Sequence, residues 1–311
     1  MKIFRSIRDV GDYFGRGSSI AIGVFDGVHR GHRKVIEKAC LQAAESSRRS
    51  AVLTFFPHPM KIVDPKFAAP NLISLDHRIR LIDELGVDAV VVLRFSRHLA
   101  SIDPHDFVRR FLAGALNARE VSVGSNFMFG KNAGADAKSL KEIAGSYGID
   151  VHIVKPVYGG GKVISSSLIR GLIARGELAK SASLLGRPVS VLGTVVKGRS
   201  IARELGFPTA NINPHHEVVP PSGVYAVLVR LGSRIFKGVL NIGTRPTFYA
   251  PRDAEPNVEV HIFGFSGNIY GRDLEALFIS KIREEARFED IDALRSRIAI
   301  DAKKAREILS G

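Results

Sequence analysis

Two histidines, His29 and His32, stand three residues apart in the stretch GVFDGVHRGHR, residues 23–33, directly after the apolar run Ile20-Ala21-Ile22. An apolar run broken by Gly23, Gly27 and Gly31 reads as a strand that hands over to a helix through a turn. The unpaired N–H groups of a first helical turn, together with the helix dipole, attract phosphate. Glycines at such a turn let a nucleotide lie close to the backbone. Imidazoles placed there can hydrogen-bond phosphate oxygens and stabilise the charge that builds up in phosphoryl or nucleotidyl transfer, without acting as nucleophiles. The alternative is a pair of exposed or metal-binding histidines, but neither an HExxH pattern nor a cysteine partner accompanies them to support zinc.

The elements that must hold this turn are legible in the apolar pattern. Short β-type runs at 20–25, 51–56, 89–93, 121–123 and 151–154 alternate with stretches of helical period at 35–44, 75–85 and 104–116. That alternation predicts a Rossmann-like α/β domain, a parallel sheet with helices on both faces. Asp103-Pro104 suits an N-cap followed by a first-turn proline, and Gly86 suits a helix stop. Beyond about residue 185 the texture turns β-rich with Gly/Pro turns, and only 290–309 has the look of a long helix, with Ile291, Leu294, Ile298 and Ala305 near helical spacing. A small antiparallel β-barrel with a C-terminal helix is the expected second domain. The boundary is placed between 182 and 183.

Composition sets the outer limits. The chain has 311 residues with a formal net charge of +14, enough length for two ordinary domains. Residues 1–182 carry 27 Lys+Arg against 17 Asp+Glu, interspersed rather than in blocks. The charge points to polyanionic company, and its dispersal argues for phosphorylated small molecules over nucleic acid. With no apolar run near 20 residues, no signal-peptide pattern and a single cysteine, Cys40, the expected setting is soluble and cytoplasmic, with no membrane partner.

The stretch GVFDGVHRGH also resembles the first signature of the HIGH-type nucleotidyltransferase superfamily, with a second in ISSSLIR at 164–170. TFFPHP at 54–59 and VGSNFMFG at 123–130 resemble the adenylyltransferase module of bacterial bifunctional riboflavin kinase/FAD synthetases. LGRPVSVLGTVVKG, RELGFPTAN, PSGVYAV, NIGTRPTF, VEVHIF and IREEARF then resemble that family's kinase module in order. The resemblance covers nearly the whole chain and implies phosphorylation of riboflavin to FMN by ATP, and adenylylation of FMN to FAD with release of pyrophosphate. Riboflavin, FMN, FAD and ATP are the implied partners, with Mg²⁺ as cofactor.

Carried over residue by residue, the resemblance gives His29 and His32 the stabilisation of transferring phosphates. It implies nucleotide or phosphate contacts for Gly23, Phe25, Asp26, Gly27, Gly31, Asn126, Ser165, Ser166, Ser167 and Arg170. Phe56 and His58 become flavin contacts on the adenylylation side. In the second half it implies Thr209 and Asn211 as magnesium ligands, Gly198 and Arg203 as parts of a flap over ATP, and Glu259 as general base. Arg283 and Phe288 become flavin contacts. Read without the resemblance, PTAN is ordinary turn chemistry, and Glu259, between Val258 and Val260, equally suits a solvent-facing strand position.

Some positions depart from the family pattern. Asn126 and Met128 replace a common Asp and Arg, although Asn still donates and accepts a hydrogen bond, and Gly264 and Asn268 replace acids. GGGK at 159–162 imitates a P-loop, yet Val163 follows the lysine and no glycine stands at 156, so it reads as a hairpin. His77, His98, His105, His152, His215 and His216 read as surface or helix-end residues. Two competing accounts stay open here: a nucleic-acid-binding protein on a HIGH-type fold, and a chain with one degenerate module.

Overall fold

The computed structural model describes residues 1–198, 206–216, 218–244, 256–286 and 288–310. It divides into two compact units, residues 1–71 with 75–166, and residues 72–74 with 167–311.

The first unit is built on six parallel strands: β1 (Lys2–Phe4), β2 (Ser18–Ile22), β3 (Arg49–Phe56), β4 (Ala89–Arg94), β5 (Ala118–Gly124) and, after two short strands β6 (Met128–Phe129) and β7 (Ala135–Asp136), β8 (Asp150–Val154). Their spatial order is β1-β4-β3-β2-β5-β8. Every pair in it is parallel. The strands are nearly continuous apolar runs because helices cover both faces of such a sheet. The helices are α1 (Arg30–Glu45), α2 (Pro59–Val63), α3 (Leu75–Asp83), α4 (Arg97–Ala100), α5 (Pro104–Phe107) and α6 (Ala137–Gly145). On α1 the buried residues Val35, Ile36, Ala39 and Ala43 recur at helical spacing, so one stripe faces the sheet.

Local signals work as expected at several places. Asp103 caps α5 by accepting from the His105 N–H at 2.8 Å, with Pro104 in the first turn. Gly86, at φ +76°, ends the turn after α3. The GGGK segment is a hairpin of two-residue strands, β9 (Tyr158–Gly159) and β10 (Lys162–Val163).

The structure also corrects several expectations. The strand expected over 20–25 ends at Ile22, because Phe25 (φ +53°) and Val28 (φ +38°) leave extended geometry. The helix expected over 104–116 runs as α5 and then widens into a π-helical stretch, Val108–Ala115, closed by Leu116 N–H on the Phe111 carbonyl. His77 and His216 are buried, not surface residues. His77 lies on the buried face of α3 beside Arg78, and His216 comes after the strand that begins at Thr209.

The second unit carries α7 (Ser166–Ala174), all but its first residue, and α8 (Leu178–Leu185), then a closed antiparallel barrel. Its strands are β11 (Ser190–Val196), β12 (Thr209–Pro214), β13 (Gly223–Leu231), β14 (Arg234–Thr244), β15 (Pro256–Ile262) and β16 (Asp273–Arg283), ordered β11-β12-β15-β14-β13-β16. Closure leaves no unpaired edge. Tyr225, fully buried on β13, donates its hydroxyl to the Pro221 carbonyl at 2.5 Å, and burial lifts its pKa to about 12.

The C-terminal helix α9 (Ile291–Ile308) starts where Asp290 accepts from the Ala293 N–H at 2.7 Å. It packs through small residues: Ala302 and Ala305 are buried, with Asp301, whereas Ile291 and Ile300 are exposed. Of the stripe expected from spacing, Ala305 is buried and Leu294 and Ile298 are half-buried, while Ile291 at the start of the helix is exposed.

Candidate active sites

In the first unit the chain goes from β2 to β3 on one side, and β5 returns on the other. The carboxyl ends of β2 and β5 thus form the switch point where ligands enter open α/β sheets. The loop after β2 holds residues 23–29 and the loop after β5 holds Asn126, so both expected nucleotide-binding segments share this crevice.

The turn itself is tightly specified. A Cβ on Gly23 would lie 2.9 Å from the Phe25 ring, so the phenyl group folds back over a bare backbone. Phe25 meets the His32 ring edge-on at 5.4 Å. His29 is the N-cap of α1: its Nδ1 accepts from the His32 N–H at 3.3 Å, and its ring stacks on the His32 ring with centroids 3.5 Å apart. An Nδ1 that accepts leaves Nε2 as the proton-bearing nitrogen of a neutral imidazole. The two histidines thereby form one block at the amino end of a 16-residue helix.

The start of the second signature reaches the same turn. Ser166, first residue of α7, donates its hydroxyl to the Asp26 carbonyl at 2.9 Å. Arg170 lies one turn further along α7, with its guanidinium on the Ser167 hydroxyl at 3.3 Å. Ser165 is half-buried and Ser167 exposed.

At the end of β3, Phe56 is exposed and His58 caps α2 by accepting from the Met60 N–H at 3.2 Å. Sequence pattern does not single out Met60, Val63 and Phe67, yet all three are exposed as well, Phe67 at 79%. Four exposed large apolar residues thus fall within twelve positions. Nor does pattern single out Arg78, since a lone arginine in an amphipathic helix reads as surface.

In the barrel, strand alternation sorts the expected residues. Val258 and Val260 on β15 are fully buried in the barrel interior, so Glu259 lies on the other face, half-buried. There it pairs in register with Asn211 of β12 and Asn241 of β14. Asn257 Nδ2 donates to Glu259 Oε1 at 2.7 Å. Thr209 shares this face two residues before Asn211, and a Cβ at Gly198 would overlap the Asn211 amide. Thr209, Asn211, Glu259 and Gly198 are thus brought together. Arg203 lies outside the described residues.

Arg283 is tied into the second unit by an ion pair. Its Nε and Nη2 donate to Asp301 at 2.9 and 2.7 Å, while its Nη1 donates to the Glu284 carbonyl. The guanidinium also stands 5.6 Å from the centre of the Phe288 ring. Its Nε, Nη1 and Nη2 are thus engaged with α9 and its own loop, and Phe288 beside it is half-buried.

Hydroxyl and amide oxygens of Thr209 and Asn211, on one face beside a carboxylate, are hard donors that fit a partly hydrated Mg²⁺. Among the described residues no group of three His, Cys, Asp or Glu could hold a metal ion.

A parallel sheet with a histidine-capped, glycine-rich turn at its switch point, followed in one chain by a small closed barrel, defines a two-module enzyme that transfers groups from a nucleotide. Comparison makes the class specific. A family model described as FAD synthetase matches residues 13–168, and one described as riboflavin kinase matches residues 185–309. The chain is 36% identical over 308 residues to the bifunctional riboflavin kinase/FMN adenylyltransferase of Escherichia coli (strain K12), covering 99% of this chain and 97% of that one. It is 35% identical over 291 residues to the protein of that name from Bacillus subtilis (strain 168), covering 93% and 91%.

A crystal structure titled as a macrolide-efflux protein from Streptococcus pneumoniae superposes with a TM-score of 0.83 at 28% identity, over 98% of both chains. Transport is said of that protein alone; no helix among the described residues here is long and apolar enough to cross a membrane. The chain belongs to the bifunctional riboflavin kinase/FMN adenylyltransferase family. It uses ATP both to phosphorylate riboflavin to FMN and to adenylylate FMN to FAD, with the FAD synthetase module first and the flavokinase module second.

Proposed function

We propose that residues 1–182 adenylylate FMN at the turn of His29 and His32, and that residues 183–311 phosphorylate riboflavin at the polar face of Glu259. The observation that carries the first half is the capping bond: His29 Nδ1 is committed to α1, so Nε2–H of His29 and the stacked His32 ring are the groups directed at phosphate. The FMN phosphate attacks the α-phosphorus of ATP and pyrophosphate departs. The two imidazoles, with the backbone of Gly23, Asp26, Gly27 and Gly31, stabilise the charge on the transferring group. Ser165, Ser166, Ser167 and Arg170 serve the departing pyrophosphate through hydroxyls, N–H groups and a guanidinium. Asn126 contacts the nucleotide, and Phe25 shapes the turn. Phe56, Met60, Val63 and Phe67 form the apolar ground for the flavin ring, with His58 at its margin.

In the barrel, Glu259 accepts the proton of the riboflavin 5′-hydroxyl as that oxygen attacks the γ-phosphorus. The register pairing with Asn211 supports this role, since it sets the carboxylate beside the proposed metal ligand. Thr209 and Asn211 would hold Mg²⁺, which would neutralise phosphate charge. Gly198, against the Asn211 amide, borders the ATP phosphates, and Phe288 contacts the flavin with Arg283 holding its loop. A cytoplasmic setting accompanies this reading, supported by the single cysteine.

The test is to incubate the full chain with ATP and either riboflavin or FMN, with Mg²⁺ or with a chelator, and to separate the flavins by chromatography. Mg²⁺-dependent formation of FMN and FAD is expected. Undiminished turnover in chelator would remove Thr209 and Asn211 from their proposed role.

A further inference from the structure

We propose that Arg78 is a positioning residue for adenylyl transfer, a buried cation that braces the phosphate turn through Thr54; this rests on assigning that chemistry to the turn of His29 and His32. Arg78 sits on α3 with 1% of its surface exposed. Its Nη1 donates to the Phe55 carbonyl at 3.2 Å and to the Thr54 hydroxyl at 3.4 Å. The Thr54 hydroxyl in turn donates to the Val24 carbonyl at 3.1 Å. Val24 lies two residues past the end of β2, inside the turn, so a relay of three groups runs from α3 through the end of β3 to the phosphate-binding backbone. A second tie at the same level, Gly23 N–H to the Leu53 carbonyl at 3.1 Å, fixes the turn to the same strand.

Packing does not explain an arginine here. Its neighbours on the helix, Ile79, Leu81 and Ile82, are buried apolar groups, and a leucine would fill the position without dehydrating a charge. The Nε of Arg78 has no hydrogen-bond partner among the described residues. Burial draws its pKa below the usual arginine value while the nearby Asp26 carboxylate draws it up, and a guanidinium stays protonated through that range. A positive charge held in a poorly screened interior beneath the turn acts on bound phosphates with little loss to solvent. A buried cation costs stability where its pairing is incomplete, and charges held this way cluster at functional sites.

The experiment uses the full chain as Arg78→Met, Arg78→Lys, Thr54→Val and His32→Ala, with riboflavin phosphorylation in the barrel as an internal measure of intact protein. Thermal unfolding is recorded for each, and all rates are taken below the transition. Arg78→Met is expected to lower kcat for FAD formation by about a hundredfold. Arg78→Lys restores it to within roughly tenfold of the parent, and Thr54→Val, which cuts the relay but keeps the charge, lowers it by about tenfold. A purely structural arginine would shift the unfolding of Met and Lys variants alike and leave kcat alone. Parental kcat in Arg78→Met while His32→Ala is inactive overturns this inference and spares the site assignment. Parental kcat in His32→Ala overturns the site assignment itself. If Arg78→Met does not fold, a Lys variant and a Thr54→Val variant that both turn over FMN at the parental rate overturn the inference.

Discussion

Asn211 and Glu259 stand directly opposite one another on antiparallel neighbours β12 and β15, on the face that turns away from the barrel interior. Side chains paired this way lie within about 4.5–5.5 Å at Cβ, so a hard amide oxygen and a carboxylate share one small patch without any loop having to fold over to bring them together. Rigid strands are the right place for such a pair, since neither backbone can drift relative to the other without breaking ladder bonds.

Glu259→Gln keeps the shape and the Asn257 contact but removes the proton acceptor. Riboflavin phosphorylation is expected to fall by about two to four powers of ten, with riboflavin affinity largely kept and FAD formation from supplied FMN unchanged. Steady-state kinetics on each half-reaction checks this. Parental kinase turnover would make Glu259 a surface carboxylate.

His29→Ala and His32→Ala are expected to slow FAD formation by about a hundred- to thousandfold, the usual cost of losing one oriented donor. FMN formation should persist. His29→Ala should also cost about 1 kcal/mol of stability through the lost cap on α1, which His32→Ala should not. The two variants compared by unfolding and by flavin chromatography separate the capping role from the chemical one.

Asp301→Ala removes the acceptor of a nearly buried bidentate pair and leaves Arg283 uncompensated, with Arg297 Nε, 3.3 Å away, also losing its partner. The expected loss is about 3–5 kcal/mol from the barrel's stability. Because the Arg283 guanidinium stands over Phe288, riboflavin binding should weaken too. Denaturant unfolding followed through kinase activity tests the first effect and a riboflavin titration the second.

Tyr225 provides a pH dependence. Its folded pKa of about 12 exceeds the ordinary value of 10.0, so the folded state holds the phenolic proton more tightly than the unfolded chain. The stabilisation is therefore intact below pH 10 and is lost as pH climbs from 10 to 12. A shift of about two pKa units corresponds to roughly 3 kcal/mol. Unfolding of the parent and of Tyr225→Phe across pH 9–12 should show this extra loss in the parent only; parallel curves would contradict it.

Much of the architecture is readable from pattern because the two halves use different periods. Alternating short apolar runs and helical stretches identify the parallel sheet, and in 258–260 the Val-Glu-Val alternation already puts Glu259 on the opposite face from two core residues. The glycine-rich turn is readable since its glycines do a local job that no neighbour can override. What escapes pattern depends on neighbours far off in sequence. Gly23 marks a break after Ile22, yet the apolar pattern carries the strand on to residue 25; Phe25 turning back onto Gly23 ends it earlier. His77 and Arg78 look like the polar side of an amphipathic helix, yet both are buried, because contacts from β3 reach Arg78. On α9 the spacing finds Ala305 but not Ala302, because an alanine one turn from another carries no pattern of its own, and it overreaches at Ile291, which is exposed. The motif points to Arg283 but says nothing of its ion pair with Asp301, which is 18 residues away on another element.

The bond from Ser166 to the carbonyl of Asp26 spans 140 residues. During synthesis the strand, turn and helix that carry His29 emerge early, but the hydroxyl that closes the turn does not exist until nearly the whole first module has left the ribosome. Contacts of such long sequence separation form late and slow a chain's folding. A nascent or truncated chain ending before residue 166 would carry both histidines and an unlatched turn, so a fragment of this enzyme would be kept from adenylylating FMN by its own topology.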